Sequence, residues 1–229
     1  MGYMGTATPG MGGGFAMPGK YRFCDDVMFK NVIQNEEICK GIIEAATHRK
    51  VDKIKPPTPQ AELSTSCESK DVRLDAFVVE SDGASYDVEV QVDASRYLPQ
   101  RMRFYQGKID SVALRKGGHY SELKELYIIF FCLYDPFGRG EAVYDIDRRD
   151  KQGNPAGSMD HWLVFNVMAY DRVEGDQRLR ALLEYMATGR VDSPGSLQAL
   201  IAAEVDNINH DKKKMKEMFT AEQTIQINL

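Results

Sequence analysis

Between Cys24 and Ala46 the apolar residues Val27, Phe29, Val32, Ile33, Ile38, Ile42 and Ile43 recur mostly at three- and four-residue spacing. That is the period of an amphipathic helix, or of two helical pieces in succession. Pro56, Pro57 and Pro59 then forbid a regular helix or a central strand, and the Ser-, Thr- and Glu-rich run through Ser69 reads as a loop with a short strand near Ala61 to Ser64. Two alternating segments follow, Asp71 to Glu80 and Ser85 to Asp93, and the Ser81-Asp82-Gly83-Ala84 run between them carries an Asp-Gly hairpin signal. In the second segment Tyr86, Val88, Val90 and Val92 take one face and Asp87, Glu89, Gln91 and Asp93 the other, because side chains alternate along a strand. One face is predicted to be buried and the other to carry carboxylates.

Arg96 to Lys116 interleaves Tyr97, Met102, Tyr105, Ile109, Val112 and Leu114 with bases and stops at Gly117-Gly118, the pattern of a basic helix. Leu126 to Tyr134 and Trp162 to Ala169, dense in β-branched and aromatic residues, are predicted to be buried strands. Asp135 to Asp160, which separates them, reads as a connecting excursion. Two helices are predicted after that, Gln177 to Thr188 and Ser196 to Phe219. The second is entered through a Ser-Pro-Gly-Ser turn and ends in the lysines 212, 213, 214 and 216, read as a solvated helix end that complements the dipole.

Composition adds little to this pattern but excludes several classes. With 229 residues, 43% hydrophobic and 28% charged, the chain suits one moderate domain. The expected organisation is a disordered Gly- and Met-rich start over 1–19, a core over 20–170 and a helical extension over 171–229 packed on the same domain. The longest apolar run, Leu126 to Tyr134, falls far short of the roughly 20 residues a membrane-spanning helix needs, and the start lacks the charge and apolar stretch of a secretory signal. Cys24, Cys39, Cys67 and Cys132 form no CxxC pair, which fits a reducing, cytoplasmic setting. A net charge of -5 argues against coating nucleic acid by bulk charge, although metal-binding carboxylates in a nuclease would add negative charge of their own. His48, His119, His161 and His210 lack the pairing of a zinc site, and neither a GxSxG elbow nor a GxxxxGK[ST] loop occurs.

The chemistry is carried by carboxylates. Asp75 on the first hairpin strand and Glu89 on the second become neighbours across a short turn if register and faces agree, and Glu89 shares its face with Gln91. Two converging carboxylates are a hard-oxygen site for Mg²⁺ or Mn²⁺.

The spacing D-x(13)-E-x-Q over Asp75, Glu89 and Gln91 resembles the active-site pattern of PD-(D/E)XK nucleases, with Gln91 where a lysine is usual. The run Asp26-Val-Met-Phe29-Lys30, the LDAFV and YDVEVQ strands, Arg101-Met-Arg-Phe-Tyr105 and Gly117-Gly-His-Tyr120 are similar, in that order, to the Rpn family of recombination-promoting nucleases and transposases. The similarity covers roughly residues 20 to 170. It implies an α/β, restriction-endonuclease-like core, a mixed sheet flanked by helices, with a divalent metal held by Asp75, Glu89 and the backbone carbonyl of Val90. It also implies DNA as substrate and a role in recombination, mobile elements or defence, and the absence of a phosphate loop predicts that any cutting is independent of ATP. Asp26 is implied near the site. Gln91 can orient a water or phosphate but supplies neither charge nor a base, so Lys30 or Arg101 is expected to replace the missing cation. Lys30, Arg101, Arg103 and Tyr105 are the expected nucleic-acid contacts. A nuclease fold that has lost activity and binds a partner, an RNA substrate, and a homodimer all stay open.

Overall fold

The helical period at the start resolves into two helices, α1 (Asp26–Val32) and α2 (Glu36–Thr47), in a computed structural model that describes residues 20–54, 58–63, 72–114 and 116–227. The break falls at Asn35, whose side chain accepts from the amides of Glu37 and Ile38 and so closes the open N-terminus of α2. Three strands follow, β1 (Thr58–Leu63), β2 (Val72–Val79) and β3 (Ser85–Gln91), then α3 (Leu98–Ala113). Next come β4 (Leu126–Cys132), β5 (Val143–Ile146) and β6 (Asp160–Asn166), and finally α4 (Gln177–Thr188), α5 (Leu197–His210) and α6 (Lys212–Ile227). The disorder expected for 1–19, Cys67 and Arg115 lie outside the described residues.

The strands form one six-stranded sheet in the order β1-β2-β3-β4-β6-β5. β1, β2 and β3 are antiparallel neighbours, β3-β4 and β4-β6 are parallel, and β5 closes the far edge antiparallel to β6. The hairpin between β2 and β3 turns at Gly83, whose φ of +96° is a conformation that disfavours any residue with a Cβ. Parallel strands cannot be joined by a tight turn, and α3 provides the crossover from β3 to β4. It packs Leu98, Met102, Tyr105 and Ile109 on Ile128 and Phe130 of β4. The other face of β4, with Ile129 and Phe131, belongs to a second and larger core that takes in α1, α2, α4, α5 and α6. Each such buried Phe or Ile contributes about 2 kcal/mol.

Several elements differ from the sequence expectation. The first predicted short strand begins earlier, at Thr58, and includes Pro59, which is tolerated because β1 lies at the sheet edge. The excursion after β4 holds a strand, β5, whose four residues are too short to register as a pattern. The strand predicted to reach Ala169 ends at Asn166, and Val167–Arg172 is a 3-10 turn. The long C-terminal helix is broken at Asp211, whose side chain accepts from the amides of Lys213 and Lys214. The lysines therefore begin α6 rather than end a helix, and do not complement a helix C-terminus as expected.

Candidate active site

β3 runs through the middle of the sheet with helices on both sides, so both of its faces are covered. The face expected to carry carboxylates lies under the basic helix α3, and Asp87 and Glu89 on it are 0% exposed. Alternation shows which residues share a face but not how completely a helix covers it.

The β2–β3 ladder pairs Val79 with Ser85 through Ala76 with Val88. Beyond Ala76 the amide of Asp75 donates instead to the Glu89 carboxylate, at 2.7 Å. Burial on both faces changes partners at the same point, since Leu74 packs with the α3 core and Ala76 with the α1 core. Val90 pairs with Phe131 of β4 but lies past Val88, the last residue of β3 paired with β2. The Gln91 carbonyl accepts from Leu133 on the β4 side, and successive carbonyls of a strand point to opposite edges. The Val90 carbonyl therefore faces β2, where the ladder has ended.

Two cations close on this pair from opposite layers. Lys30 on α1 lies 3.2 Å from the Asp75 carboxylate and 2.8 Å from that of Asp26. Arg101 on α3 lies 2.8 Å from the Glu89 carboxylate, donates to the Gln91 side-chain oxygen, and donates through Nε to the Tyr105 hydroxyl at 2.8 Å. Its guanidinium also stands over the rings of Tyr105 and Phe130, 5.0 and 5.3 Å from their centroids. Gln91 is fixed at both ends of its amide, since its Nε2 donates to the Asp93 carbonyl at 2.8 Å.

The electrostatics follow from burial and from like charges. Burial pushes the Asp75 carboxyl up to about 6, against the pull of Lys30, with Asp26 adding to the rise. Glu89 is raised well above the carboxylate range by burial and by Asp75 and Asp87, with Arg101 opposing. Asp87 is raised likewise by burial and Asp75, with Arg101 and a side-chain hydrogen bond with Glu89 opposing. Burial alone would lower Lys30, but Asp75 and Asp26 hold it above its ordinary value, so it stays cationic.

The cluster thus brings together Asp75, Glu89, Gln91, Arg101 and Tyr105, with Lys30 linking in Asp26, which is half exposed and makes its described contact to Lys30. Arg103 is not brought in. It lies about 200° round α3 from Arg101, in solvent. Asp87 was missed as a member of the buried cluster, although its place two residues before Glu89 was the available signal.

A hard divalent cation fits the donor set. Asp75 and Glu89 offer oxygen donors that converge, and the Val90 carbonyl faces the same gap. No group of three or more His, Cys, Asp or Glu side chains among the described residues could itself hold a metal, so the fitting set is the two carboxylates with backbone.

A mixed sheet covered by helices, with an acid at the parting of a hairpin and E-x-Q on the central strand, defines an α/β protein of the PD-(D/E)XK, restriction-endonuclease-like class. The family described as PD-(D/E)XK nuclease family transposase matches residues 24–140, just over half of the chain, and the protein belongs to it. That stretch runs from α1 past β4 and contains every residue of the cluster. No curated protein and no solved structure matches the chain.

Proposed function

We propose that the protein is a divalent-metal-dependent DNA endonuclease that hydrolyses phosphodiester bonds, acting in recombination, on mobile elements or in defence. The observation that carries this reading is the buried Asp75–Glu89 pair at the parting of β2 and β3, flanked by Lys30 and Arg101. In this reading Asp75, Glu89 and the Val90 carbonyl hold Mg²⁺ or Mn²⁺, which when bound polarises the phosphate and lowers the pKa of a water.

The chain's own residues would supply the rest. Arg101 brings from α3 the positive charge that a lysine at position 91 would carry, and Gln91 orients Arg101 by accepting from it. Lys30, kept protonated by Asp75 and Asp26, offers a second cation to a phosphate oxygen. Asp26 holds Lys30 in place. Tyr105 fixes the guanidinium plane through its hydroxyl. Arg103 would touch only backbone beyond the site. Cutting both strands of a duplex calls for two such sites, which a homodimer would provide. No helix among the described residues is long and apolar enough to cross a membrane. The reading places the enzyme in the cytoplasm, since Cys24, Cys39 and Cys132 are buried as free thiols, the form a reducing compartment keeps.

The test is cleavage of supercoiled plasmid and single-stranded DNA, with an RNA control, in Mg²⁺, Mn²⁺, Ca²⁺ or EDTA. Wild type is compared with Asp75→Asn and Glu89→Gln proteins of confirmed fold. Cutting in Mg²⁺ or Mn²⁺ that EDTA and both substitutions abolish is the expected result. One observation favours a second reading, an inactive module that binds a partner: Lys30 and Arg101 already neutralise both carboxylates. Nucleic-acid binding without cleavage in any metal would establish it.

A further inference from the structure

Just past the C-terminal ends of the parallel pair β3 and β4, the segments 94–97 and 134–136 enclose a groove of about 550 Å³. In α/β sheets ligands bind in the crevice outside the strand ends. Tyr97, on the wall of this groove, lies one helical turn before Arg101 of the acidic cluster, its carbonyl accepting from the Arg101 amide at 2.9 Å. Tyr97, Arg101 and Tyr105 therefore share a stripe of α3 that runs from the groove into the site.

The two ends of that stripe differ. Tyr105 is buried, whereas Tyr97 is 56% exposed, and the Arg96 guanidinium stands 4.8 Å from its ring centroid. An exposed aromatic ring with a stacked guanidinium presents flat, weakly hydrated surfaces, the kind on which nucleobases stack. The loop that carries them is pinned. The Ser95 amide donates to the Tyr134 hydroxyl at 3.1 Å, and the Ser95 hydroxyl accepts from the Tyr97 amide at 3.3 Å. Such a surface is preorganised, so little ordering cost is left to binding.

The opposite wall selects against phosphate. Asp135 accepts from the Tyr144 hydroxyl at 2.6 Å and from the amides of Phe137, Gly138 and Gly140, and the Tyr144 bond first of all holds its carboxyl below the usual range. A permanently anionic wall repels a phosphodiester and leaves the groove to an uncharged ring. Bases in intact duplex are already stacked and cannot offer a face. We propose that this groove is a nucleobase subsite that takes one unpaired base beside the scissile phosphate, so that the substrate is single-stranded or flapped DNA. The proposal rests on the nuclease reading above.

The test is fluorescence anisotropy of the full-length protein in Ca²⁺, with a labelled single strand containing 2-aminopurine and with the same sequence as blunt duplex. Tyr97→Ala is expected to weaken single-strand binding by about 5- to 100-fold, the range for loss of one stacked base. It should leave duplex binding unchanged and remove the 2-aminopurine quenching, while Tyr97→Trp retains both. Tyr97 is exposed, and a thermal melt confirms that each variant is folded. If Tyr97→Ala binds single strand as wild type does, or loses single strand and duplex equally, the subsite is overturned and the nuclease reading stands. If wild type binds no nucleic acid, both are overturned.

Discussion

Replacing Asp75 with asparagine is expected to stabilise the protein at pH 8 and to leave its stability unchanged at pH 4. The folded-state carboxyl is pushed to about 6 from an ordinary 3.8. A carboxyl raised in the folded state binds its proton more tightly there than in the unfolded chain, so stability falls as pH rises from about 4 through about 6 and stays low above that. The difference of about two pKa units corresponds to about 3 kcal/mol, or a melting shift of about 5 to 10 °C for a chain of this size. Asparagine keeps the shape and cannot ionise. The assay is a thermal or urea melt of both proteins at half-unit steps from pH 4 to 8, in EDTA. The gap should open between about pH 4.5 and 6.5, and added Mn²⁺ should narrow it at pH 8 by stabilising wild type alone. A gap that is flat across the range, or an Asp75→Asn protein less stable than wild type at pH 8, would refute the electrostatic account of the site.

Arg101→Ala should lower stability by about 2 kcal/mol in urea melts, because the buried Glu89 carboxyl loses its Arg101 donor, an effect moderated by the guanidinium's being 35% exposed. Asp211→Ala should cost about 1 kcal/mol and reduce helical ellipticity, since α6 loses its capping acceptor; an unchanged spectrum and melt would contradict that. Gly83→Ala should destabilise by about 1 kcal/mol or more, from its positive φ and from a Lys124 Cγ 3.0 Å from the added methyl, read as a lower denaturation midpoint. Cys24, Cys39 and Cys132 are buried, and burial pushes each thiol up to about 12, so a disulfide-exchange reagent should leave these three unmodified until the protein unfolds.

The hairpin and the Asp75–Glu89 neighbourhood were legible in the chain because alternation, an Asp-Gly turn and a fixed spacing all act over a short range. What stayed hidden depended on distant elements. That α3 would bury the polar face of β3 completely depends on how closely the crossover packs, which no residue of β3 encodes, so the full burial of Asp87 was not legible. Lys30 was visible as a cation in a family-like run, but its bridging of Asp26 and Asp75 requires α1 to lie over the end of β2. β5 has four residues and an edge position, too little for a period. The break at Asp211 was masked by helical propensity on both sides, where the capping side chain decided between one helix and two.

The parallel pairing of β3 with β4 makes the order of assembly matter. A hairpin can zip within microseconds, so Asp75 and Glu89 meet early, when both are still in water and ionised at neutral pH. β4 must wait for α3 to form and swing across, a closure whose chain entropy is met before any contact repays it. The sheltering of those two carboxylates therefore belongs to a late event, and its electrostatic cost raises the barrier for folding as well as lowering the depth of the native well. Refolding should run faster in mildly acidic buffer than at pH 8, a kinetic signature of chemistry being walled into a fold after its backbone is in place.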